Sequence, residues 1–378
     1  SVTERVRGAF DDYFGEQVAA WSGDGAGANI EWDGRSSGGG VPDGVYTASL
    51  TATPEGSDPI TESVVITVDT TAPRLTKAAG PGWFSPDGDG QAEKAAVTYA
   101  PAEDCSVRVG IITMEGKVLR WLHGWKARAI KSYSVNWDGR IGSSSNLSPA
   151  SDGLYRFVVE RRDAAGNVAR QGVKITVDRT LGFPSAAPGT FSPNGDDVRD
   201  TTALRFRLTR SAVVTVRVLN GAAEVRTFEL GTLGAGRRSA TWDGTTNSGD
   251  SVPNSRLSVE VTASSDLGES RVTSALIADL YRPRLYAGGG KKTVARKSTK
   301  LTYKVVDPYS DKVDVRFTVK NAKGRVVAKG HPGWKPTGKS LAITWRPKAR
   351  GVYTVTYRAV DRGGNVEAAR AKTRVTVR

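Results

Sequence analysis

Cysteine, histidine and methionine are almost missing from this chain of 378 residues, which has one cysteine, two histidines and one methionine. The single cysteine, Cys105, excludes an intrachain disulfide framework and any cysteine-rich metal site, and we expect it to be a buried structural thiol. Hydrolytic catalysis usually needs a histidine or paired carboxylates beside a nucleophile. Because His123 and His331 are far apart and are expected in exposed turns, the sequence predicts no enzymatic activity.

Long apolar runs are missing too, since no stretch reaches the roughly 18 residues that a membrane-spanning helix needs. Residues 1–4 resemble neither a signal peptide nor an initiating methionine, so we expect a processed or trimmed product. What the chain does contain is 43 glycines, 17 prolines and many valines, threonines and arginines. This composition is typical of a turn-rich β protein.

A tryptophan signature recurs along the chain. Trp32, Trp137 and Trp242 each precede Asp-Gly at intervals of about 105 residues, and Trp345 follows at nearly the same spacing. Around these markers, apolar and polar residues alternate with period two, as half-buried strands do. About seven such strands per hundred residues predict a two-sheet antiparallel sandwich for each repeat.

The predicted fold class is therefore all-β, with tandem immunoglobulin-like sandwiches in an extended array. Short, proline-stiffened linkers such as residues 68–73 predict limited bending between repeats. The predicted domains, called the first to fourth modules below, are residues 1–72, 73–180, 181–282 and 283–378.

Two loops give the repeats a family resemblance. Phe-Ser-Pro-Asp-Gly-Asp-Gly at residues 84–90 and Phe-Ser-Pro-Asn-Gly-Asp-Asp at residues 191–197 precede Trp-Asp-Gly and later Asp-x-x-Gly-Asn or similar turns. This order resembles the immunoglobulin-like domain of flagellar hook-capping proteins. The resemblance implies a secreted or cell-surface bacterial protein without chemistry of its own. The fourth module lacks the loop, and nothing in the sequence argues for a flagellar role.

The first module is predicted to be incomplete. Aligned on its tryptophan turn, it starts some 30 residues late and lacks its first strand or strands, which would leave an apolar face uncovered. One explanation is that upstream sequence has been cut away. The other is that the upstream part of the same precursor, or another protein chain, completes the sandwich by strand addition.

One segment matches the phosphate-loop pattern, Gly333–Ser340. That motif works only between a strand and a helix, whose N-terminus helps to hold the phosphates. Residues 341–345 alternate as a strand does, so we expect no nucleotide site here.

The Asp-rich loops offer the only metal candidates that the sequence suggests. Oxygen ligands at alternate positions are how calcium loops begin, but neither loop completes a ligand set. Short Asp and Asn side chains also cap turn backbones, and this structural interpretation is favoured. No cofactor is therefore predicted, and calcium stays an open alternative. The residues concerned are Asp87, Asp89, Asn194, Asp196 and Asp200.

Three tryptophans fall near one repeat position: Trp21, Trp125 and Trp334. Exposed, they could stack on sugar rings. The third module has Leu230 at this point, and the exchange of leucine for tryptophan favours a role in core packing.

Positive charge is concentrated in the last module, where about 24 lysines and arginines face about five acidic residues. Clustered cations attract polyanions, so we predict a docking surface for an anionic cell-wall or extracellular polymer. A solvated, solubilising surface is the alternative. The predicted residues are Lys291, Lys292, Arg296, Lys297, Lys300, Lys320, Lys323, Arg325 and Lys329.

The sequence thus predicts a non-catalytic binding arm, with spacer modules and a basic end. No reader motif for sequence-specific nucleic acid and no transmembrane segment are present. The alternative function is an accessory C-terminal region of a secreted hydrolase precursor, whose upstream part completes the first module.

Overall fold

The computed structural model describes residues 5–13, 15–24 and 31–378. No helix occurs in these residues, which form strands joined by turns. Residue contacts divide the chain into two compact units. One unit comprises Ser1–Phe84 with Lys94–Val177, and the other comprises Ser85–Glu93 with Asp178–Arg378. The all-β class predicted from the alternating pattern is confirmed.

The first module contributes a single four-stranded antiparallel sheet in the order β2-β1-β5-β6, together with the short ribbon β3-β4. Trp32 stacks on Phe10, with ring centroids 4.5 Å apart. Ile60 and Val64 of β6, which share one face of the sheet, are largely exposed, and the described residues of this module form no second sheet over them. Its strands are β1 (Arg5–Asp11), β2 (Gln17–Asp24), β3 (Arg35–Ser36), β4 (Gly39–Gly40), β5 (Gly44–Thr53) and β6 (Ile60–Val68).

The second module is a two-sheet sandwich. A three-stranded sheet, β12-β9-β7, and a five-stranded sheet, β11-β10-β15-β16-β8, enclose a core that includes Trp137, Tyr99 and Phe157. Its strands are β7 (Leu75–Ala79), β8 (Trp83–Phe84), β9 (Ala95–Pro101), β10 (Cys105–Ile112), β11 (Val118–Arg128), β12 (Tyr133–Trp137), β13 (Arg140–Ser143), β14 (Asn146–Pro149), β15 (Gly153–Arg162) and β16 (Val168–Val177).

The third module repeats this arrangement with sheets β17-β19-β22 and β18-β24-β23-β20-β21, packed around Trp242, Phe191 and Leu204. Its strands are β17 (Leu181–Ala187), β18 (Thr190–Phe191), β19 (Thr202–Leu208), β20 (Ala212–Asn220), β21 (Ala223–Leu233), β22 (Gly236–Trp242), β23 (Ser255–Ser265) and β24 (Gly268–Ala278).

The fourth module has the same topology, with sheets β25-β27-β30 and β26-β32-β31-β28-β29 around Tyr303, Tyr357 and Val355. Its short strand β26 pairs in parallel with β32. In the same way, β8 pairs in parallel with β16 in the second module, and β18 with β24 in the third. Its strands are β25 (Arg284–Ala287), β26 (Lys291–Thr293), β27 (Thr299–Val306), β28 (Lys312–Asn321), β29 (Val326–Pro336), β30 (Ser340–Trp345), β31 (Gly351–Val360) and β32 (Lys372–Val377).

The recurring tryptophan turn is a packing device. The indole Nε1 of Trp242 donates 2.8 Å to the carbonyl oxygen of Thr245, and a carboxylate oxygen of Asp243 accepts from the Thr245 backbone amide. Gly244 has a φ of 83°, which glycine adopts without strain. Trp137 makes the same bond to Arg140. The second and third modules therefore each bury an indole whose N–H is hydrogen-bonded within its own turn.

Candidate functional site

The predicted cations of the fourth module lie on several surfaces. Lys320 and Lys329 line a groove on the five-stranded sheet, and Lys323 and Arg325 lie at the exposed turn between β28 and β29. The remaining five are distributed elsewhere: Lys291 and Lys292 on edge strand β26, Arg296 and Lys297 in the following loop, and Lys300 on β27 of the other sheet.

The groove has a volume of about 870 Å³ and is lined mainly by cations and threonines. Strand register brings these side chains together, because residues directly opposite one another in an antiparallel pair share a face. The two cross-strand rows are Lys372, Thr356, Thr318, Lys329 and Arg374, Thr354, Lys320, Val326.

A pair of arginines distinguishes this face from the five-stranded sheets of the second and third modules. Arg316 of β28 lies directly opposite Arg358 of β31. In the second module the opposite residues are Arg108 and Glu160, whose side chains form a 2.7 Å ion pair. Like charges placed directly opposite each other destabilise a sheet unless something neutralises them. The Arg316 and Arg358 side chains therefore place two positive charges on adjacent strands of this face.

The third module also has the paired arrangement, since Arg217 of β20 lies opposite Glu260 of β23 and forms an ion pair with it. Both glutamates are buried under their arginine partners. The fourth module thus replaces an internal counter-charge with a second cation.

Asp314 is the acidic group beside this groove. Its carboxylate oxygens lie 3.3 Å from Arg316 Nε and 2.5 Å from His331 Nε2. One carboxylate cannot balance the six cations that the rows and the arginine pair bring to this face. The face keeps a net positive charge.

Gly330 shapes the floor of the groove. A β-carbon at this position would overlap the ring of Phe317, so only glycine lets β29 pass over that ring. Arg370 contributes a further cation to the lining.

Arg316, Arg358, Arg370, Lys372 and Arg374 were not among the predicted residues. Their alternation along β28, β31 and β32 was visible in the sequence, but strand alternation alone does not say which strands are neighbours. A charge comparison between aligned repeats would have found the exchange of Glu160 for Arg358.

A second arginine-rich groove, of about 860 Å³, lies on the three-stranded sheet of the third module. Arg207 of β19 lies opposite Arg237 of β22, and Arg205 lines the same groove. Sequence reasoning missed it because acidic loops bring the net charge of this module close to zero. Arg238, also in the lining, donates to the carbonyl oxygens of Gly234 and Ala235.

The residues considered for catalysis remain separate. Gly333–Ser340 runs from the end of β29 to the start of β30, so no helix follows the phosphate-loop pattern. Cys105 is buried at the start of β10, as expected, and burial raises the pKa of its thiol. The expectation that both histidines lie in turns is wrong: His123 lies within β11 and His331 within β29.

The carboxylate and amide oxygens of the Asp-rich loops mostly accept hydrogen bonds from backbone amides. Asp200 accepts hydrogen bonds from the amides of Asn194, Gly195 and Asp197, which lower the pKa of its carboxyl. Asn194 Oδ1 accepts from the Asp196 amide, and Asp196 Oδ1 accepts from that of Val198. The structural interpretation of this loop is supported.

The other loop brings Asp87, Asp89 and Glu93 together, with carboxylate oxygens within 4.8 Å of one another. Asp89 uses both oxygens, one for the Gln91 amide and one for the Phe183 amide. Desolvation, followed by repulsion from Asp89 and Glu93, raises the pKa of Asp87 to about 6. These bonds again give the loop a structural role.

Two of the three repeat-position tryptophans, Trp125 and Trp334, do not pack in the cores of their modules. Arg108 and Arg162 each stack on Trp125, with guanidinium carbons 4.7 and 4.8 Å from the ring centroid. Trp334 is 47% exposed and lies under Arg362. The core-packing interpretation is correct for Leu230, which contacts the third core, and wrong for Trp125 and Trp334, since arginines cover them.

In the part of the chain that the structure describes, no helix is long and apolar enough to cross a bilayer.

Comparison with known proteins supports the fold and the repeat type. Residues 192–266 match the FlgD Ig-like domain family. Over 103 residues the chain is 37% identical to the basal-body rod modification protein FlgD of Escherichia coli K12. This alignment covers 26% of this chain and 41% of that protein. The chain therefore carries tandem immunoglobulin-like domains. Its third module is of the FlgD type.

A second bacterial relative is larger. The chain is 25% identical over 300 residues to exoglucanase B of Cellulomonas fimi, an alignment that covers 74% of this chain and 26% of the exoglucanase. The chain spans about a quarter of that protein and about two fifths of FlgD.

Two solved structures show a distant likeness. The N-terminal eight Ig domains of the Down syndrome cell adhesion molecule are 12% identical with a TM-score of 0.27, covering 99% of this chain and 44% of that one. Domains 4 and 5 of the S-layer protein SbsC are 12% identical with a TM-score of 0.19, covering 73% and 99%.

Proposed function

We propose that this chain is a non-catalytic extracellular arm whose fourth module docks on an anionic cell-surface or extracellular polymer through the groove between β29 and β32. The observation that carries the proposal is the Arg316 and Arg358 pair, where the second and third modules place an arginine opposite a glutamate. A polymer phosphate or carboxylate group between the two guanidinium groups would add negative charge to that of Asp314, which lies 3.3 Å from Arg316. The threonines of the two rows add hydroxyl donors beside it.

The decisive variant is Arg358→Glu in the full chain. It installs the arginine–glutamate pair that two other modules already use, so the variant is expected to fold at least as stably as the parent chain. A fluorescent teichoic acid or polyglutamate serves as the probe, measured by anisotropy at about 0.05 and 0.5 M salt. Affinity at low salt should fall about tenfold or more, the size of one lost charge-assisted contact.

Lys300→Glu is the matched control, because it makes the same charge change on the opposite sheet. It should lower affinity less than about threefold, since it acts only through long-range charge. Equal losses in the two variants would indicate attraction by net charge alone. Absence of polymer binding at low salt would rule out the docking function.

A second candidate is an accessory region of a secreted hydrolase, favoured by the alignment with exoglucanase B over most of this chain. On this proposal the exposed apolar residues of β6 are covered by the upstream part of the precursor or by another protein chain. Native mass spectrometry of the purified natural material should detect a companion polypeptide. A chain of uniform mass without a companion, together with no retention on insoluble glucan, would refute this candidate and leave the anionic groove unaffected.

A further inference from the structure

Three carboxylates converge where the third and fourth modules meet. Asp279 follows β24, Asp307 follows β27 and Asp361 follows β31. They are 0%, 8% and 1% exposed, and one oxygen from each lies within 4.8 Å of the others. Buried carboxylates this close are costly unless a cation or a proton neutralises them.

Hydrogen bonds fix the orientation of all three groups. Asp279 accepts from the Tyr281 amide and from Ser310 Oγ, at 3.1 and 3.0 Å. Asp361 accepts from the backbone and side-chain amides of Asn365, at 2.8 and 3.0 Å. Neither carboxylate forms an ion pair with a described lysine or arginine.

Asp307 differs from the other two carboxylates because only one of its oxygens accepts hydrogen bonds from the described residues. Its Oδ1 accepts from the amides of Tyr309 and Ser310, both at 2.9 Å. Its Oδ2 is buried and accepts no hydrogen bond from the described residues. A buried anionic oxygen without a donor, beside two further carboxylates, indicates a ligand that brings positive charge.

The pKa values agree with crowding of negative charge. Burial is the main cause that raises the pKa of Asp361 to about 7 and that of Asp279 to about 6. Repulsion among the three carboxylates adds to both shifts.

The corresponding end of the second module lacks this arrangement. Asn167 donates 2.8 Å to the carbonyl oxygen of Asp69, as Asn365 donates 2.7 Å to that of Asp279. These asparagines end equivalent turns, residues 163–167 and 361–365. Two residues before its turn, the second module buries the cationic side chain of Arg161, whereas the fourth module has Ala359 at that position.

The third carboxylate comes from an insertion. Val107 and Val315 are equivalent, because each precedes the arginine that lies opposite residue 160 or 358. From the core tyrosine to this valine, the fourth module has four more residues (Tyr303 to Val315) than the second (Tyr99 to Val107). The longer loop supplies both Asp307 and Ser310. The fourth module has therefore lost a buried arginine and gained a buried carboxylate.

We propose that Asp279, Asp307 and Asp361 bind one oxygen-seeking divalent cation, calcium in the first instance, at the end of the third module. Two oxygens bound to one calcium at about 2.4 Å lie at most about 4.8 Å apart, the limit that this cluster meets. Water would complete the coordination. Because the ligands come from both sides of the junction, the ion would stabilise the attachment of the fourth module.

The test uses the full chain stripped with EDTA and titrated with calcium chloride alone, followed by calorimetry and by thermal melting. We expect one ion per chain, a dissociation constant in the range of about 10⁻⁴ to 10⁻³ M, and a higher melting temperature of the unit that holds the site. No saturable heat and no melting shift at about 5 mM calcium would overturn the proposal.

Asp307→Asn keeps the Oδ1 acceptor and removes the charge. It should weaken calcium binding about tenfold or more, and it should leave the calcium-free chain equally or more stable, because repulsion is relieved. A purely structural Asp307 would instead make the calcium-free variant less stable. That result with unchanged calcium binding would also overturn the proposal.

Two matched variants complete the design. Asp311→Asn removes an exposed carboxylate from the same loop, where it pairs with Arg362, and Asp89→Asn disables the other acidic cluster. Both should keep the calcium response. Loss of the response in Asp89→Asn, with retention in Asp307→Asn, would transfer the ion to the Asp-rich loop and refute the site proposed here.

Discussion

At the scale of single residues, the pKa of an acidic side chain in this protein depends strongly on the environment of that side chain. Asp200 is half-buried and accepts hydrogen bonds from three backbone amides, which hold the pKa of its carboxyl below the ordinary value. Asp87 is partly buried beside Asp89 and Glu93, and its pKa is raised to about 6. Both residues belong to the same Asp-rich motif in successive modules. Opposite effects of pH on stability follow.

The change Asp87→Asn should make the unit that contains it more stable above pH 6. Asp87 ionises near 3.8 when unfolded and near 6 when folded, so the native carboxyl lowers the free energy of unfolding as pH rises through this window. An asparagine keeps the acceptor for the Asp89 amide and removes that loss. Allowing for solvent screening, we expect a gain of about 1 kcal/mol at pH 7 and none at pH 3.5, measured by urea unfolding in EDTA.

Asp200→Asn is the control with the opposite sign. Its lowered pKa means that the native carboxylate contributes stability above its unfolded pKa, a contribution lost as pH falls through the lower folded value. This variant should be less stable than the parent at pH 7 and should approach it near pH 3. A parallel pH response of the two variants would contradict the assignment of their environments.

At the scale of strands, the sequence predicted where the long strands lie better than it predicted which strands pair with each other. Period-two alternation located the long strands of the second, third and fourth modules, because one face of each is buried in a core. The short parallel strands β8, β18 and β26 were not predicted, since two or three residues are too few to show a period. His123 and His331 were expected in turns but lie within the strands β11 and β29.

Pairing decides the candidate sites, and pairing is a long-range property. Lys320 and Lys329 were predicted from a run of cations near one hairpin, whereas Arg316 and Arg358 meet across strands that are about 40 residues apart. The Asp279, Asp307 and Asp361 cluster could not be predicted either, because its members come from three separate strand ends. Only the fold brings such residues together.

At the scale of the whole molecule, the buried cores are separate. The second, third and fourth modules each have their own cluster around an aromatic centre, whereas the described part of the first module has few buried side chains. Cores that share no side chains unfold with limited coupling, so more than one thermal transition is expected. The β1–β6 segment should exchange its amide hydrogens fastest.

Trp242→Ala tests this independence. Removing a fully buried indole should destabilise the third module by about 3 to 5 kcal/mol and lower the calorimetric transition of the unit that contains it. The transition of the unit that contains Trp137 should stay in place, because the two indoles belong to different cores. Trp334→Ala, which truncates an exposed indole, should move neither transition by a comparable amount. If Trp242→Ala instead shows a single thermal transition that shifts as a whole, the modules unfold together, and the stability of one core depends on that of the others.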